Sequence, residues 1–273
     1  MKIITYATNL EQIGYVHGLV ASCKYFGLDL VTLKSETWTS HRQKIVLLKA
    51  HLPTMDPEEV VFLADAYDVI MLQNEQQIMA SYNKISKPGK IVMSADRFCA
   101  PDASLAIHFP KITTGYSYVS GGGAMGKVKD FIYILEKIIE IEAADRSESN
   151  RLYSWDDQYL WTKTIIQYPH LFVLDNNCEI FQTLCNKFVL EQLYIFKNNE
   201  PELSEDEDMC SRESIKKVIA NVLEEIEIQK DGRVYNKTTK TYPAQLHFNT
   251  QINKLTMFME PFVGLIERFN SGS

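Results

Sequence analysis

The first 96 residues alternate short apolar runs with amphipathic segments, and this rhythm limits the fold more than any other feature of the chain. The apolar runs KIITYAT, LDLVTL, VVFLAD and KIVMSAD begin at residues 2, 28, 60 and 90. Residues 11–27 and 41–55, which separate the first three runs, have the apolar spacing of surface helices. A β-α-β-α-β order predicts a parallel sheet with right-handed crossovers. We therefore expect an α/β fold.

Composition and charge exclude several classes of function. With 273 residues, 45% hydrophobic and 23% charged, the chain can bury a full core, and we expect one domain over residues 1–273. A formal net charge of −7 argues against a general nucleic-acid binder, because no basic excess exists to neutralise phosphates. No apolar segment approaches the roughly 20 residues of a membrane helix. The N-terminus lacks the apolar core of a signal peptide, so we expect a cytoplasmic protein.

The third apolar run ends in two carboxylates, Asp65 and Asp68, in the spacing D-x-x-D. Carboxylates crowded at the end of a buried strand repel each other and lose hydration, which is unfavourable unless a cation compensates them. Ligands of open α/β sheets bind at the carboxyl ends of strands. A solvated turn is the alternative, since Asp favours turns. The position directly behind a hydrophobic strand favours a divalent metal site.

Three further features supply candidate site residues. The glycines from Gly121 to Gly123 form either a flexible loop or, as their aromatic and apolar neighbours favour, a strand-to-loop segment that passes close to a ligand. Asp156 and Asp157 stand in the first turn of a predicted helix, where the helix dipole alone would favour acids. His247 is an ordinary core or surface residue in isolation. Together with two carboxylates, its imidazole would complete a ligand shell for Mn²⁺ or Mg²⁺.

The second half of the chain contains a polar, acidic segment without periodicity at residues 198–214. Low hydrophobicity and a high density of negative charge predict a disordered surface loop, inserted into the domain.

A series of motifs resembles, in order, the N-terminal glycosyltransferase domain of the multifunctional procollagen lysyl hydroxylases. The motifs keep compatible spacing over almost the whole chain. They are TYATNLEQIGY, RQK at residues 42–44, FLADAYDVIM, SADRFCAP, YVSGGGAMG, WDDQYLWT, EIFQTL and LHFNT. Each motif alone is weak, and their common order makes the resemblance strong. The resemblance implies a GT-A (Rossmann-like) glycosyltransferase fold, which is a mixed, mostly parallel sheet flanked by helices.

The same resemblance implies an activity and a set of site residues. The family enzymes move glucose from UDP-glucose onto galactosyl-hydroxylysine of collagen, with bound Mn²⁺ and retention of the anomeric configuration. The implied metal ligands are Asp65, Asp68 and His247. The implied residues of the nucleotide-sugar site are Thr5, Ala7, Thr8, Lys44, Tyr67, Gly122, Gly123 and Asn249. The implied catalytic residues, beside the transferred sugar and the acceptor, are Asp156 and Asp157.

Three departures from the family pattern leave the sugar and the acceptor open. Ala100 replaces a Trp, Ser120-Gly121 replaces Asn-Ser, and Thr250-Gln251 replaces a Gly-rich turn, with Lys254 the nearest basic residue. The alternatives are a galactosyltransferase that acts on hydroxylysine with UDP-galactose, a UDP-sugar transferase with an unrelated acceptor, and a non-catalytic accessory module. The expected partners are a UDP-sugar and a collagen-like glycopeptide. A microbial or giant-virus enzyme that modifies its own collagen-like proteins fits these features.

Overall fold

The computed structural model describes residues 1–191 and 205–271, with side chains except at 205–212 and 252. The strands in these residues are β1 (Lys2–Ala7), β2 (Leu30–Lys34), β3 (Val60–Ala64), β4 (Val69–Met71), β5 (Ile91–Asp96), β6 (Tyr118–Lys127), β7 (Phe172–Leu174), β8 (Phe181–Thr183), β9 (Ile226–Ile228), β10 (Val234–Asn236) and β11 (Gln245–His247). The α-helices in these residues are α1 (Ala21–Tyr25), α2 (Gln43–His51), α3 (Glu75–Ile85), α4 (Val128–Ala144), α5 (Glu148–Tyr153), α6 (Asp157–Gln167), α7 (Glu205–Glu225), α8 (Gln251–Thr256) and α9 (Phe262–Ser271). A π-helical segment at Gly14–Val20 leads directly into α1. Within the described residues, no helix combines the length and apolar character needed to span a membrane.

The main sheet has six strands in the order β2-β1-β3-β6-β5-β7. Strand β1 pairs in parallel with β2 and β3, and β5 pairs in parallel with β7. Strand β6 runs antiparallel to both of its neighbours, β3 and β5. Strands β1, β3 and β5 are almost continuously buried, as expected for apolar strands that helices cover on both faces. The predicted GT-A class, a mixed and mostly parallel α/β sheet, is confirmed.

The triple glycine lies inside β6, so the prediction of a strand-to-loop segment is wrong in its loop part. Gly123 pairs with Ala64 of β3 in the interior of the main sheet. A Cβ atom at Gly123 would lie 2.6 Å from Cδ1 of Phe181. Side chains that pack tightly over the strand therefore leave no room for a Cβ atom, which explains the glycines without a turn.

A smaller sheet, in the order β4-β11-β8, adjoins the main sheet. Strand β11 pairs antiparallel with β4 and parallel with β8. Residues 65–68 connect the last residue of β3 to the first residue of β4. The predicted carboxylate pair therefore lies in the short connection between the two sheets. The antiparallel pairing sets His247 opposite Val69, directly beside this connection.

The core of the main sheet is completed by helix α4. Phe131, Ile134, Leu135 and Ile138 recur at helical spacing and are at most 1% exposed. They pack in one cluster with residues of α6, including Trp161. A second cluster lies between the small sheet, α7 and the C-terminal helices. A third cluster contains side chains of both sheets, including Phe62 of β3 and Val69 of β4, which flank residues 65–68 in the chain.

The disordered loop predicted for residues 198–214 is wrong over its second part. Residues 205–214 belong to helix α7, whereas residues 198–204 lie outside the described residues. Later in the same helix, Ile215, Val218, Ile219 and Val222 are buried in the second cluster. Because helix growth is cooperative once a turn is anchored, the packed half supports the acidic half. The apolar spacing of residues 213–228 predicts the second part of this helix, and the acidic composition hid only its first part from the sequence interpretation.

We predict that Phe131→Ala destabilises the fold by about 3–5 kcal/mol, because it leaves a cavity in the main core. Tyr133→Ala on the same helix is a matched control, since Tyr133 is 49% exposed. The control should change the free energy of unfolding by roughly 0.5 kcal/mol or less. Urea unfolding followed by circular dichroism measures both values. Equal effects of the two variants would contradict the assignment of α4 to the core.

Candidate functional site

Three candidate metal ligands meet where the main sheet adjoins the small sheet. Asp65 directly follows β3, Asp68 directly precedes β4, and His247 is the last residue of β11. The imidazole Nε2 of His247 lies 3.6 Å from Oδ2 of Asp65 and 3.5 Å from Oδ2 of Asp68. One ligand atom from each residue lies within 4.8 Å of the other two. The structure thus brings together the three residues that the resemblance implies as ligands.

The chemistry and shape of this group suit a hard divalent cation. Two atoms that bind one such ion at about 2.1 Å are at most about 4.2 Å apart, and both imidazole–carboxylate distances fall inside this limit. A Cβ atom at Gly122 would lie 2.1 Å from Cε1 of His247 and 3.0 Å from Oδ2 of Asp65. The missing side chain therefore makes room for the two ligands. Carboxylate oxygens with one imidazole fit Mn²⁺ or Mg²⁺.

Lys44 on α2 connects this group to Asp157. Its ammonium donates to Oδ1 of Asp65 at 2.6 Å and lies 3.4 Å from Oδ2 of Asp157. Although burial favours the neutral amine, Asp157 and Asp65 raise the pKa of Lys44. Lys44 is therefore a fixed positive charge between two carboxylates.

Lys254 is a second cation at the site, and the sequence interpretation noted it without assigning it a partner. Its ammonium lies 3.1 Å from Oδ2 of Asp68. Burial opposes the charged form of Asp68, but His247 and Lys254 hold the pKa of its carboxyl well below the ordinary value. Thr250 makes the approach possible, because its φ of 103° turns the chain sharply between β11 and α8. The position of this lysine four residues after Thr250, where the family pattern has a Gly-rich turn, was the available signal.

Asp156 and Asp157 have different surroundings. Oδ1 of Asp156 accepts the backbone N–H groups of Gln158 and Tyr159 at 2.8 and 3.3 Å, so this carboxylate is the N-cap of α6. Asp157 is 4% exposed and faces Lys44. Burial raises the pKa of Asp157 to about 7, against the opposing effect of Lys44. Asp157 is therefore the acid that the structure turns toward the candidate metal group.

The residues implied for the uridine pocket lie together at the carboxyl end of β1. The hydroxyl of Tyr67 accepts the backbone N–H groups of Thr8 and Asn9 at 2.8 and 2.9 Å. Ala7 is buried in the same small apolar cluster as Tyr67. The hydroxyl of Thr5 donates to the Ala64 carbonyl at 2.8 Å. Thr5 also lines a cavity that reaches Lys44 and Asp157.

Asn249 is held by hydrogen bonds within the chain. Its Nδ2 donates to Oδ2 of Asp96 at 2.8 Å, and its Oδ1 accepts the backbone N–H groups of Leu184 and Cys185, both at 3.0 Å. Burial raises the pKa of Asp96 to about 6. The Asn249 amide therefore ties the end of β11 to the ends of β5 and β8. Asp96 was missed as a partner, although it ends a buried strand much as Asp65 directly follows one.

Gln158 is a further residue that the sequence interpretation missed. Its Oε1 accepts the backbone N–H of Gly121 at 2.8 Å, and its Nε2 donates to the carbonyl of Ala100 at 2.9 Å. These bonds join α6 to the glycine strand and to the loop after β5. Its position directly after the two acids was the available signal.

Comparison with solved structures gives two similar chains. Mouse xyloside xylosyltransferase 1, in its apo form, has a TM-score of 0.47 and 11% identity, over 70% of this chain and 89% of that chain. A glycosyltransferase involved in the glycosylation of the major capsid of PBCV-1 has a TM-score of 0.41 and 15% identity, over 64% of this chain and 82% of that chain.

Comparison with curated proteins gives distant relatives that are much longer. Uncharacterized protein R699 of Acanthamoeba polyphaga mimivirus is 28% identical over 222 residues, which are 81% of this chain and 38% of that protein. The human multifunctional procollagen lysine hydroxylase and glycosyltransferase LH3 is 26% identical, over 67% of this chain and 25% of LH3. The multifunctional procollagen lysine hydroxylase and glycosyltransferase of Caenorhabditis elegans is 22% identical, over 99% of this chain and 33% of that protein. The chain thus spans well under half the length of these relatives.

A family model gives the assignment. The model described as the PLOD GT domain matches residues 1–208, which is most of the chain. The match includes the connection between β3 and β4, the glycine strand and the start of α6. The chain therefore belongs to the PLOD GT domain family of glycosyltransferases.

Proposed function

We propose that this glycosyltransferase is a metal-dependent, retaining enzyme that moves glucose from UDP-glucose onto galactosyl-hydroxylysine of collagen or a collagen-like protein. The convergence of Asp65, Asp68 and His247, with Lys44 and Asp157 alongside, is the observation that carries the proposal. Membership of the PLOD GT domain family supports the donor and acceptor classes. The names of the human and nematode relatives combine procollagen lysine hydroxylase with glycosyltransferase.

In this proposal, the two aspartates and Nε2 of His247 hold Mn²⁺. An ion held there would supply positive charge against the negative charge that grows on the UDP diphosphate as the glycosidic bond breaks. Lys44 adds a second positive charge at a fixed position, 2.6 Å from Asp65. Because Lys44 is held between two acids, it needs little reorganisation when the leaving group becomes more negative.

Asp157 is proposed as the general base that acts on the acceptor. The acceptor oxygen bonds to the anomeric carbon on the same face from which UDP departs, so the configuration is retained. Its proton passes to the Asp157 carboxylate, and UDP leaves with the electrons of the broken bond between the anomeric carbon and the phosphate oxygen. A pKa of about 7 lets the carboxyl accept a proton near neutral pH. The negative charge of the Asp157 carboxylate also stabilises the positive charge that develops on the oxocarbenium-like anomeric carbon. Asp156 supports this arrangement by capping α6.

The donor nucleotide is proposed to lie against the end of β1. Tyr67 presents a ring to the uracil, and its hydroxyl is held by the backbone of Thr8. Thr5, Ala7 and Thr8 form the adjacent wall.

The backbone of Gly122 and Gly123 keeps β6 free of side chains beside the diphosphate.

Asn249 was expected to face the nucleotide, but its hydrogen bonds support a positioning role at the end of β11.

We predict that EDTA abolishes UDP release and that added Mn²⁺ restores it. Asp68→Ala should weaken Mn²⁺ binding by more than about 100-fold, since even partners of metal ligands are worth 10–100-fold. Calorimetry measures the affinity, and circular dichroism checks the fold. Full activity in metal-free buffer would overturn the metal site.

Gly122→Ala is a second test of the metal site, because the new methyl group must displace the His247 ring, 2.1 Å away. Gly264→Ala is the matched control, since a Cβ atom there meets nothing within 4 Å. Mn²⁺ affinity should fall in the first variant and remain at the wild-type value in the second. Equal Mn²⁺ affinity in Gly122→Ala and wild type would contradict the ligand role of His247.

We predict that Asp157→Asn lowers kcat by about 10²–10⁴-fold, the usual contribution of a general base. Calorimetry should show that its UDP–Mn²⁺ affinity stays within about twofold of wild type, because the substitution acts on the transition state. Asp156→Asn is the matched control, because Asn is also a good N-cap. It should lower kcat much less. Equal losses would assign the chemistry to both acids, and unchanged turnover in Asp157→Asn would leave this residue without a catalytic role.

Asp157→Asn should also change how the stability of the metal-free protein depends on pH. Burial raises the pKa of Asp157 from an ordinary value of 3.8 to about 7, so the folded state favours the protonated acid. The stability gained from this group is present at low pH and is lost as pH rises towards 7. Asn does not titrate, so Tm of the variant relative to wild type should rise between pH 5 and pH 8. A constant difference would contradict the burial of an ionising carboxyl.

We predict that transfer from UDP-glucose is efficient onto galactosylated hydroxylysine peptide and near background onto bare hydroxylysine peptide. A site that bonds the acceptor hydroxyls rejects acceptors without them, because its buried polar groups would be left unpaired. Mass spectrometry should show one added hexose. Efficient transfer from UDP-galactose to bare hydroxylysine would instead identify a galactosyltransferase.

A further inference from the structure

Two exposed tryptophans lie beside the proposed active site. Trp38 is 47% exposed and Trp155 is 49% exposed. The ring of His41 lies between them, with centroid distances of 4.8 Å to Trp38 and 6.1 Å to Trp155. Trp38 also packs on Tyr6, at 5.6 Å. Since Trp38 packs on the strand proposed for the donor nucleotide, we call only His41 and Trp155 the aromatic platform.

The platform adjoins Asp157 at the end away from the candidate metal group. Nδ1 of His41 lies 3.9 Å from Oδ1 of Asp157. The other oxygen of this carboxylate, Oδ2, lies 3.4 Å from Lys44, which contacts Asp65. The contacts therefore run from the metal group through Lys44 and Asp157 to the platform. A molecule on the platform would meet Asp157 from the side that Lys44 leaves open.

Trp155 is held in one orientation before any ligand binds. Its Nε1 donates to the carbonyl of Leu152 at 2.8 Å, and its own carbonyl accepts the N–H of Arg42 at 2.8 Å. The guanidinium of Arg42 in turn makes two bonds to Glu142 of α4. The polar edge of the indole is thus satisfied, and about half of the residue's surface remains exposed, at 49%. A fixed surface of this kind loses little conformational entropy on binding.

The charges around the platform favour a neutral ligand that carries hydroxyl groups. Burial, together with Lys44, lowers the pKa of His41, so its ring is neutral at neutral pH and offers one donor and one acceptor. Asp157 can accept hydrogen bonds from hydroxyl groups. A ligand ammonium would be repelled by the nearby Lys44, and Lys44 already compensates the charge of Asp157. A sugar ring matches these groups, because its C–H face suits an aromatic face and its edge carries hydroxyls.

We infer that the aromatic platform is the acceptor subsite, where the acceptor's sugar ring stacks on Trp155 and directs a hydroxyl to Asp157. The inference rests on the proposed function and names the residues that select a glycosylated acceptor. The polarised C–H groups of a pyranose are attracted to the negative face of the indole, and the contact removes apolar area from water. The metal group and Lys44 remain available for the donor.

The test titrates methyl β-galactoside into the full chain with UDP and Mn²⁺ present, by calorimetry and tryptophan fluorescence. Wild type should bind the glycoside, and Trp155→Ala should weaken binding by about tenfold, the loss expected for one aromatic stacking contact. Trp155→Phe should keep most of the affinity. Tyr133→Ala is the matched control, because Tyr133 is equally exposed on α4 and lies outside the platform. It should bind like wild type.

Kinetics give an independent measurement. In Trp155→Ala, KM for galactosylated peptide should rise about tenfold, while the affinity for UDP with Mn²⁺ stays near wild type. Equal glycoside affinity in wild type and Trp155→Ala would overturn the inference. So would a wild type that binds a bare lysine peptide and no glycoside. Absence of Mn²⁺-dependent UDP binding in wild type would instead refute the proposed function. Glycoside binding can be measured without UDP and Mn²⁺, so the two failures can be distinguished.

Discussion

Compensation of three carboxylates by neighbouring cationic groups is the constraint on which the rest of this structure depends. Asp65 and Asp68 both contact the His247 imidazole, and Asp157 shares Lys44 with Asp65, in a region where burial makes an uncompensated charge costly. Lys44 lies between Asp65 and Asp157, and Lys254 pairs with Asp68. The two lysines come from helices near opposite ends of the chain. Correct packing of α2 and α8 is therefore coupled to the electrostatics of the candidate site.

Strand pairing determines the geometry of the same site. The pairing of β11 with β4 sets His247 opposite Val69, next to both candidate carboxylate ligands. A register shift by one residue would turn His247 to the other face of the small sheet. Strand β6 contributes by having no side chain at Gly122, where a methyl group would overlap the imidazole. The ligand group thus requires one register in the small sheet and a glycine in the main sheet.

Sequence analysis identified many residues of the site but could not separate their environments. Asp156 and Asp157 are adjacent, and the helix dipole favours both equally. The structure distinguishes them, because the N-cap turns Asp156 to the backbone while Asp157 faces Lys44. Composition misled the interpretation of residues 205–214, where helix α7 is anchored by apolar residues further along the chain.

The sequence by itself determined the alternation of strands and helices in the first half and the carboxylate pair behind β3. Both depend on local periodicity and on neighbours in the chain, which the order of residues specifies directly. Only the tertiary structure decided that the glycines lie within a sheet, that Lys44 lies between Asp65 and Asp157, and that Trp155 adjoins His41. These contacts join residues far apart in the chain, so their geometry arises from strand pairing and helix packing.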